Sequence, residues 1–155
     1  MPRSSANRRV AIVGVGYSPR GKRLGHSLEA LTAMACKAAM EDAGLKSVDL
    51  DGVSVYASPG QAVGSLKIAG MLGVPQLRWY MGTTEGPTFH GAVLPAVDAV
   101  ASGSTDVCLV VNSMLEAGGS FTKRAPSSTY AGDSQFTVPF GVHTGPHWIS
   151  LLMRR

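Results

Sequence analysis

Cysteine is nearly absent from this 155-residue chain, with two in all, and aromatic residues make up only 6% of it. Cys36 and Cys108 each sit in an apolar run without further ligand-type residues at metal-binding spacing, which argues against a structural metal or a disulfide framework. His143 and His147 are four residues apart, but Pro146 between them and the lack of a nearby acid remove a helical metal pair. No apolar run reaches membrane-spanning length, and Val10–Val15 is too short and too glycine-broken for a signal sequence. These absences give a cytoplasmic protein as the simplest expectation.

Acidic residues are missing from the N-terminal 28 positions, where Arg3, Arg8, Arg9, Arg20, Lys22 and Arg23 lie. Such a cluster attracts an anionic ligand or forms a solvated leader. Nucleic acid is excluded as the partner, because no aromatics interleave with the basic residues. At 45% apolar residues the chain is long enough for one globular core, built mainly from small side chains.

Residues 1–8 read as a disordered leader and 9–155 as one domain. Val10–Val15 has the unbroken apolar pattern of a strand buried on both faces. Ser27 as N-cap, the stripe Leu28, Leu31, Met34, Ala35, Ala38, Ala39, and Gly44 past the end define a helix. Strands follow at Val53–Ala57, Leu77–Met81 and Val107–Val111, with helices over Ala62–Leu72 and from the Gly82–Ala92 turn to about Ser102. Trp79 and Tyr80 mark an edge or an interface. Residues 115–133 read as a long Gly/Ser/Thr/Pro-rich loop and His147–Met153 as a final helix. This βαβαβαβ order predicts an α/β fold, a mostly parallel sheet of about five strands with helices on both faces. Gly14-Val15-Gly16 is not a dinucleotide fingerprint, since Pro19 takes the third glycine position and no helix starts there. A tight turn is the expected role.

The segment of greatest chemical interest is Gly82-Thr83-Thr84-Glu85-Gly86-Pro87-Thr88-Phe89-His90-Gly91-Ala92. A strand that feeds a Gly/Thr-rich turn into a helix start aims N–H groups and hydroxyls into one crevice. His90 can donate to an oxyanion or shuttle a proton, and Glu85 can act as a base. Thr84 and Thr88 can hydrogen-bond a ligand or cap the helix. Tyr17 and Tyr130 are loop phenols that nothing in the spacing selects.

Several stretches in order resemble the thiolase superfamily, N-terminal half. Val10–Pro19 is similar to its opening strand and loop. Ala38–Leu45 with Val48-Asp49-Leu50-Asp51-Gly52-Val53 resembles its first helix and aspartate–glycine turn. Ala96–Gly103 and Asp106–Val111 resemble the helix after its nucleophile and the next strand. Phe136–Gly141 resembles a segment of the lipid-transfer-protein, sterol-carrier and steroid side-chain aldolase branch. That resemblance implies a coenzyme A thioester as substrate, with no covalently bound cofactor and no metal. Thiolases carry a nucleophilic cysteine in the turn, and this chain has Gly86 in that place. A glycine forms no thioester, so ping-pong acyl transfer there is excluded and aldolase-type cleavage is expected. Gly86, Thr84, Thr88 and Tyr130 are then expected to line the acyl pocket, with His90 and Glu85 as catalytic candidates.

The family duplicates this unit, and no internal repeat is visible here. The resemblance therefore implies a truncated half that is inactive alone, with an acyl-CoA, a homodimer mate or a missing C-terminal half as partners. The alternative is a non-catalytic scaffold or partner subunit, bound to a second thiolase-like chain or a zinc-ribbon/OB-fold acyl-CoA-binding protein.

Overall fold

A computed structural model describes residues 10–21, 24–56, 62–83, 90–113 and 132–142, together with 147, 150, 151 and 153. The expected leader over 1–8 lies outside these residues. The chain divides into two compact units, Met1–Leu115 and Glu116–Arg155.

In the first unit, α1 (Leu28–Ala43) begins where Ser27 Oγ accepts the N–H of Ala30. It ends at Gly44, whose φ of 68° gives the left-handed C-cap that an L side chain resists. A single 3-10 turn, Ser47–Asp49, leads to β1 (Gly52–Tyr56). Next come α2 (Ser65–Leu72), β2 (Trp79–Thr83), α3 (His90–Ala101) and β3 (Cys108–Asn112). β2 runs two residues further than the sequence suggests, so Gly82 and Thr83 belong to the strand rather than to the turn.

The sheet order is β2-β1-β3, all parallel. Its register aligns Gly52 with Trp79 and Cys108 at one end, and Tyr56 with Thr83 and Asn112 at the other. Val53 and Val55 of β1 and Leu109 and Val111 of β3 pack into one core with Cys36 and Met40 of α1 and Ile68, Ala69 and Leu72 of α2. Ser54 points to the opposite face, where its hydroxyl donates to the Ala92 carbonyl of α3 at 2.7 Å. Helices thus cover both faces. The crossover β1-α2-β2 runs one way on one face and β2-α3-β3 runs back on the other, as crossovers of a single hand require.

Three strands, not about five, form the sheet among the described residues. Val10–Val15 is the main correction: it carries no ladder, and Ile12, Val13 and Val15 are 80%, 63% and 54% exposed. The segment lies along α1 instead. The Val15 N–H donates to Asp42 Oδ2 at 2.9 Å. A Cβ on Gly14 or Gly16 would strike the α1 backbone at Ala35, Ala39 or Ala43. These glycines therefore serve close approach to a helix rather than the tight turn that the sequence suggests. The predicted edge character of Trp79 and Tyr80 holds: β2 is an edge strand, and Tyr80 is 58% exposed.

The aligned N-terminal end of the sheet is closed by one carboxylate. Asp51 accepts the N–H groups of Asp106 (3.0 Å) and Val107 (2.9 Å), the Thr105 hydroxyl, and Arg78 Nη1 at 3.0 Å. Arg78 also bonds Asp106 at 2.7 Å and the Gly103 carbonyl at 3.0 Å. Burial pushes the Asp51 carboxyl up, but the bonds from Thr105, Val107 and Asp106, and the Arg78 charge, outweigh it and hold the group below its ordinary value. Gly52 follows because a Cβ there would overlap the buried Thr105 hydroxyl.

In the second unit, Gly132–Phe136 and Val138–Phe140 are short 3-10 helices, the latter ended by Gly141 at φ 83°. The proline–aromatic–glycine stretch is thus a helical turn. Of the predicted final helix, His147, Ser150 and Leu151 are helical.

Candidate functional site

Parallel strands leave their carboxyl ends in register, and in α/β sheets ligands bind beyond that end. Here that end presents Thr83, Tyr56 and Asn112 side by side, while the opposite end is occupied by the Asp51 bracket. The two ends divide the work: one is filled by structural hydrogen bonds, and the other is where chain leaves the sheet toward α3.

Face follows from alternation. Ser54 contacts α3, so Tyr56, two residues on, points to the same side, as do its register partners Thr83 and Asn112. The row is about 10 Å wide at normal strand spacing. Tyr56 and Thr83 are half-buried and Asn112 is exposed. Next to it, Ser113 is buried and its hydroxyl accepts the Val63 N–H at 3.2 Å, which fastens the chain entering α2 to the end of β3.

α3 starts at His90, with residues 84–89 between it and Thr83. This puts the helix start at the carboxyl end of β2, as the sequence leads one to expect. The side chain of His90 lies outside the described residues, and so do Thr84, Glu85, Gly86, Thr88 and Tyr130. Among the candidates named from sequence, Tyr17 is described: it is exposed in the segment along α1, with the Arg20 guanidinium 4.8 Å from its ring centre. The sequence reading passed over Asn112, Tyr56 and Thr83; the signal available was a polar residue closing each apolar strand.

The Cys108 thiol is placed away from this end. Cys108 opens β3 level with Gly52 and Trp79, four residues before Asn112, or about 13 Å along a strand. Burial, and then the negative charge of Asp51, push its thiol up to about 12. Cys36 is buried in the α1 face of the core, and burial raises it to about 11. Both are therefore protonated thiols at neutral pH. Among the described residues no group of three His, Cys, Asp or Glu is placed to hold a metal ion, and no helix is long and apolar enough to cross a membrane.

The fold has the thiolase-like α/β arrangement. The chain is 28% identical over 94% of its length to a solved "Ltp2-ChsH2(DUF35) aldolase", with a TM-score of 0.71, and covers 37% of that chain. A 3-oxoacyl-[acyl-carrier-protein] synthase III from Aquifex aeolicus, 17% identical with a TM-score of 0.50 over 61% of this chain and 41% of its own, shares the fold alone. Among curated proteins, the chain is similar to a steroid side-chain-cleaving aldolase of Thermomonospora curvata, 28% identical over 94% of this chain and 38% of the relative. It is equally similar to a 17-hydroxy-3-oxo-4-pregnene-20-carboxyl-CoA lyase of Mycobacterium tuberculosis, 28% identical over 94% of this chain and 39% of the relative. It thus spans less than two-fifths of the curated relatives that it matches. No protein-family model matches the chain.

Proposed function

We propose that this chain is the N-terminal part of a carbon–carbon lyase of the aldolase type, acting in the cytoplasm on an acyl-CoA with a steroid or lipid acyl group. The observation that carries this reading is the likeness over 94% of the chain to relatives named as a steroid side-chain-cleaving aldolase and a CoA lyase. Two protonated thiols, Cys36 buried and Cys108 half-buried, fit such chemistry. In a retro-aldol step a base takes the β-hydroxyl proton, and the carbon–carbon bond breaks as a carbonyl forms. The bonding pair moves into the thioester enolate, which is then protonated at its α-carbon. The step needs a base and hydrogen-bond donors for the enolate oxygen, and no sulfur nucleophile.

In this reading Thr84, Gly86, Thr88 and Tyr130 are the candidates for contact with the acyl group. Gly86 leaves room where a thiolase carries its cysteine side chain, and His90 and Glu85 are the candidates for proton transfer. The relatives are more than twice as long as the matched stretch, so the catalytic unit draws on further polypeptide. The 155-residue chain alone is then expected to bind 17-hydroxy-3-oxo-4-pregnene-20-carboxyl-CoA without turning it over. Isothermal titration calorimetry and product analysis by mass spectrometry check both halves of that expectation. Turnover by the purified chain would contradict the need for more polypeptide, and absence of binding would contradict the substrate class.

A second reading, a non-catalytic partner subunit, is favoured by the two components named in the solved aldolase's title. The open edge of β2 with exposed Tyr80 suits pairing with a homodimer mate or another thiolase-like chain. Size-exclusion chromatography of the chain, alone and with a DUF35 zinc-ribbon/OB-fold protein, separates these assemblies. A stable complex with no CoA-thioester binding would support the scaffold reading.

A further inference from the structure

The carboxyl end of the sheet holds three polar side chains that no catalytic role has yet absorbed. Thr83, Tyr56 and Asn112 occupy adjacent strands in one register. The Ser54–Ala92 hydrogen bond fixes their common face as the one that α3 covers. The chain continues from Thr83 into residues 84–89, so this row borders that stretch by covalent connection. A hydroxyl, a phenol and a carboxamide in line offer both donors and acceptors across about 10 Å.

Burial along the strands changes at this row. On β3, Leu109 and Val111 are buried, while the strand closes on exposed Asn112. On β1, four buried residues are followed by half-buried Tyr56. β1 and β3 thus close on a polar side chain that is less buried than the residue before it, whereas burial alternates along β2. A carboxamide at the end of the most apolar strand contributes nothing to the core. It is a hydrogen-bonding group delivered by a rigid element to the end of the fold where α/β proteins bind ligands.

We propose that the row Thr83–Tyr56–Asn112 is a substrate-contacting wall that hydrogen-bonds the polar, thioester-proximal part of an acyl-CoA. The proposal rests on the acyl-CoA reading above and assigns part of its binding energy to residues outside the Gly/Thr turn. Asn112 is the principal contact, because it is exposed and its carboxamide can donate to the thioester oxygen or accept from a β-hydroxyl. Tyr56 and Thr83 extend the same wall toward the turn.

Calorimetric titration of the 155-residue chain with 17-hydroxy-3-oxo-4-pregnene-20-carboxyl-CoA, and separately with free coenzyme A, tests this. Asn112→Ala and Tyr56→Phe should each weaken the thioester by about two- to tenfold, the value of one hydrogen bond, while free coenzyme A binds as before. Val48→Ser, at an exposed position in the turn before β1, is the control and should bind both as the parent does. Thermal melts verify that each variant is folded, and Tyr56→Phe keeps the ring if the alanine variant at 112 fails. Unchanged thioester affinity in folded variants overturns the wall and leaves the acyl-CoA reading standing. Equal weakening of thioester and free coenzyme A also overturns it, because the effect would not belong to the acyl end. No thioester binding by the parent chain overturns both.

Discussion

Replacing Asp51 with alanine is expected to cost about 3–5 kcal/mol of folding stability, a large share of what a domain of this size has. The side chain is 15% exposed and accepts from two backbone N–H groups, the Thr105 hydroxyl and Arg78. Its removal leaves Thr105, itself fully buried, without that acceptor and frees Arg78 from one of its two carboxylates. The loop before β3 and the start of β2 then lose the group that joins them to β1. Asp49→Ala, one turn earlier and exposed, removes a single bond to the Lys46 N–H and should cost less than about 1 kcal/mol. Urea unfolding of the two variants against the parent measures the difference.

The same carboxylate carries a pH signature. Its value is lowered in the folded state, so its contribution is complete above the unfolded value of about 4 and is lost as pH falls through the folded value. Stability should therefore drop below about pH 4 in the parent, and more shallowly in Asp51→Asn.

Thiol reactivity should show the second large effect. With Cys108 pushed up to about 12 and Cys36 to about 11, the thiolate fraction at pH 8 is roughly a hundredfold or more below that of a free thiol. Iodoacetamide should label the native chain at least about a hundred times more slowly than the guanidinium-unfolded chain. Rapid labelling of either cysteine in the folded protein would mean that an activated thiol is present.

How much of this was legible in the residues varies with how local the cause is. The Ser27 cap and the Gly44 terminator bracket α1 because capping is decided within a few residues. β1 and β3 were found to within one residue, since continuous apolar runs and the turns beside them mark buried strands. Val10–Val15 shows the limit: its apolar run reads as a strand, but a one-dimensional pattern does not report which element the run meets in space, and here that element is α1. Gly14 and Gly16 were visible as glycines, yet their purpose depends on contact with Ala35, Ala39 and Ala43 of α1, far along the chain from them. The rim residues Asn112, Tyr56 and Thr83 were hidden for a related reason. Each is an ordinary polar residue after a strand, and only the parallel register puts the three in a row.

The reversal of roles at the two ends of the sheet links stability to function. Asp51, Thr105 and Arg78 saturate the amino end with internal hydrogen bonds, so changes there act on folding. The carboxyl end carries the row and the entry to α3, so changes there are expected to act on binding. The separation is about one strand length, which makes the two sets of variants independent to within ordinary coupling limits.

The proposed function rests on acyl-CoA chemistry to which this chain contributes no sulfur nucleophile. Intact-protein mass spectrometry after incubation with acetyl-CoA and with the steroid CoA thioester, followed by peptide mapping, tests it directly. The account predicts an unchanged mass, with Cys36 and Cys108 both recovered as free thiols. A hydroxylamine-sensitive acyl adduct on either cysteine would contradict it.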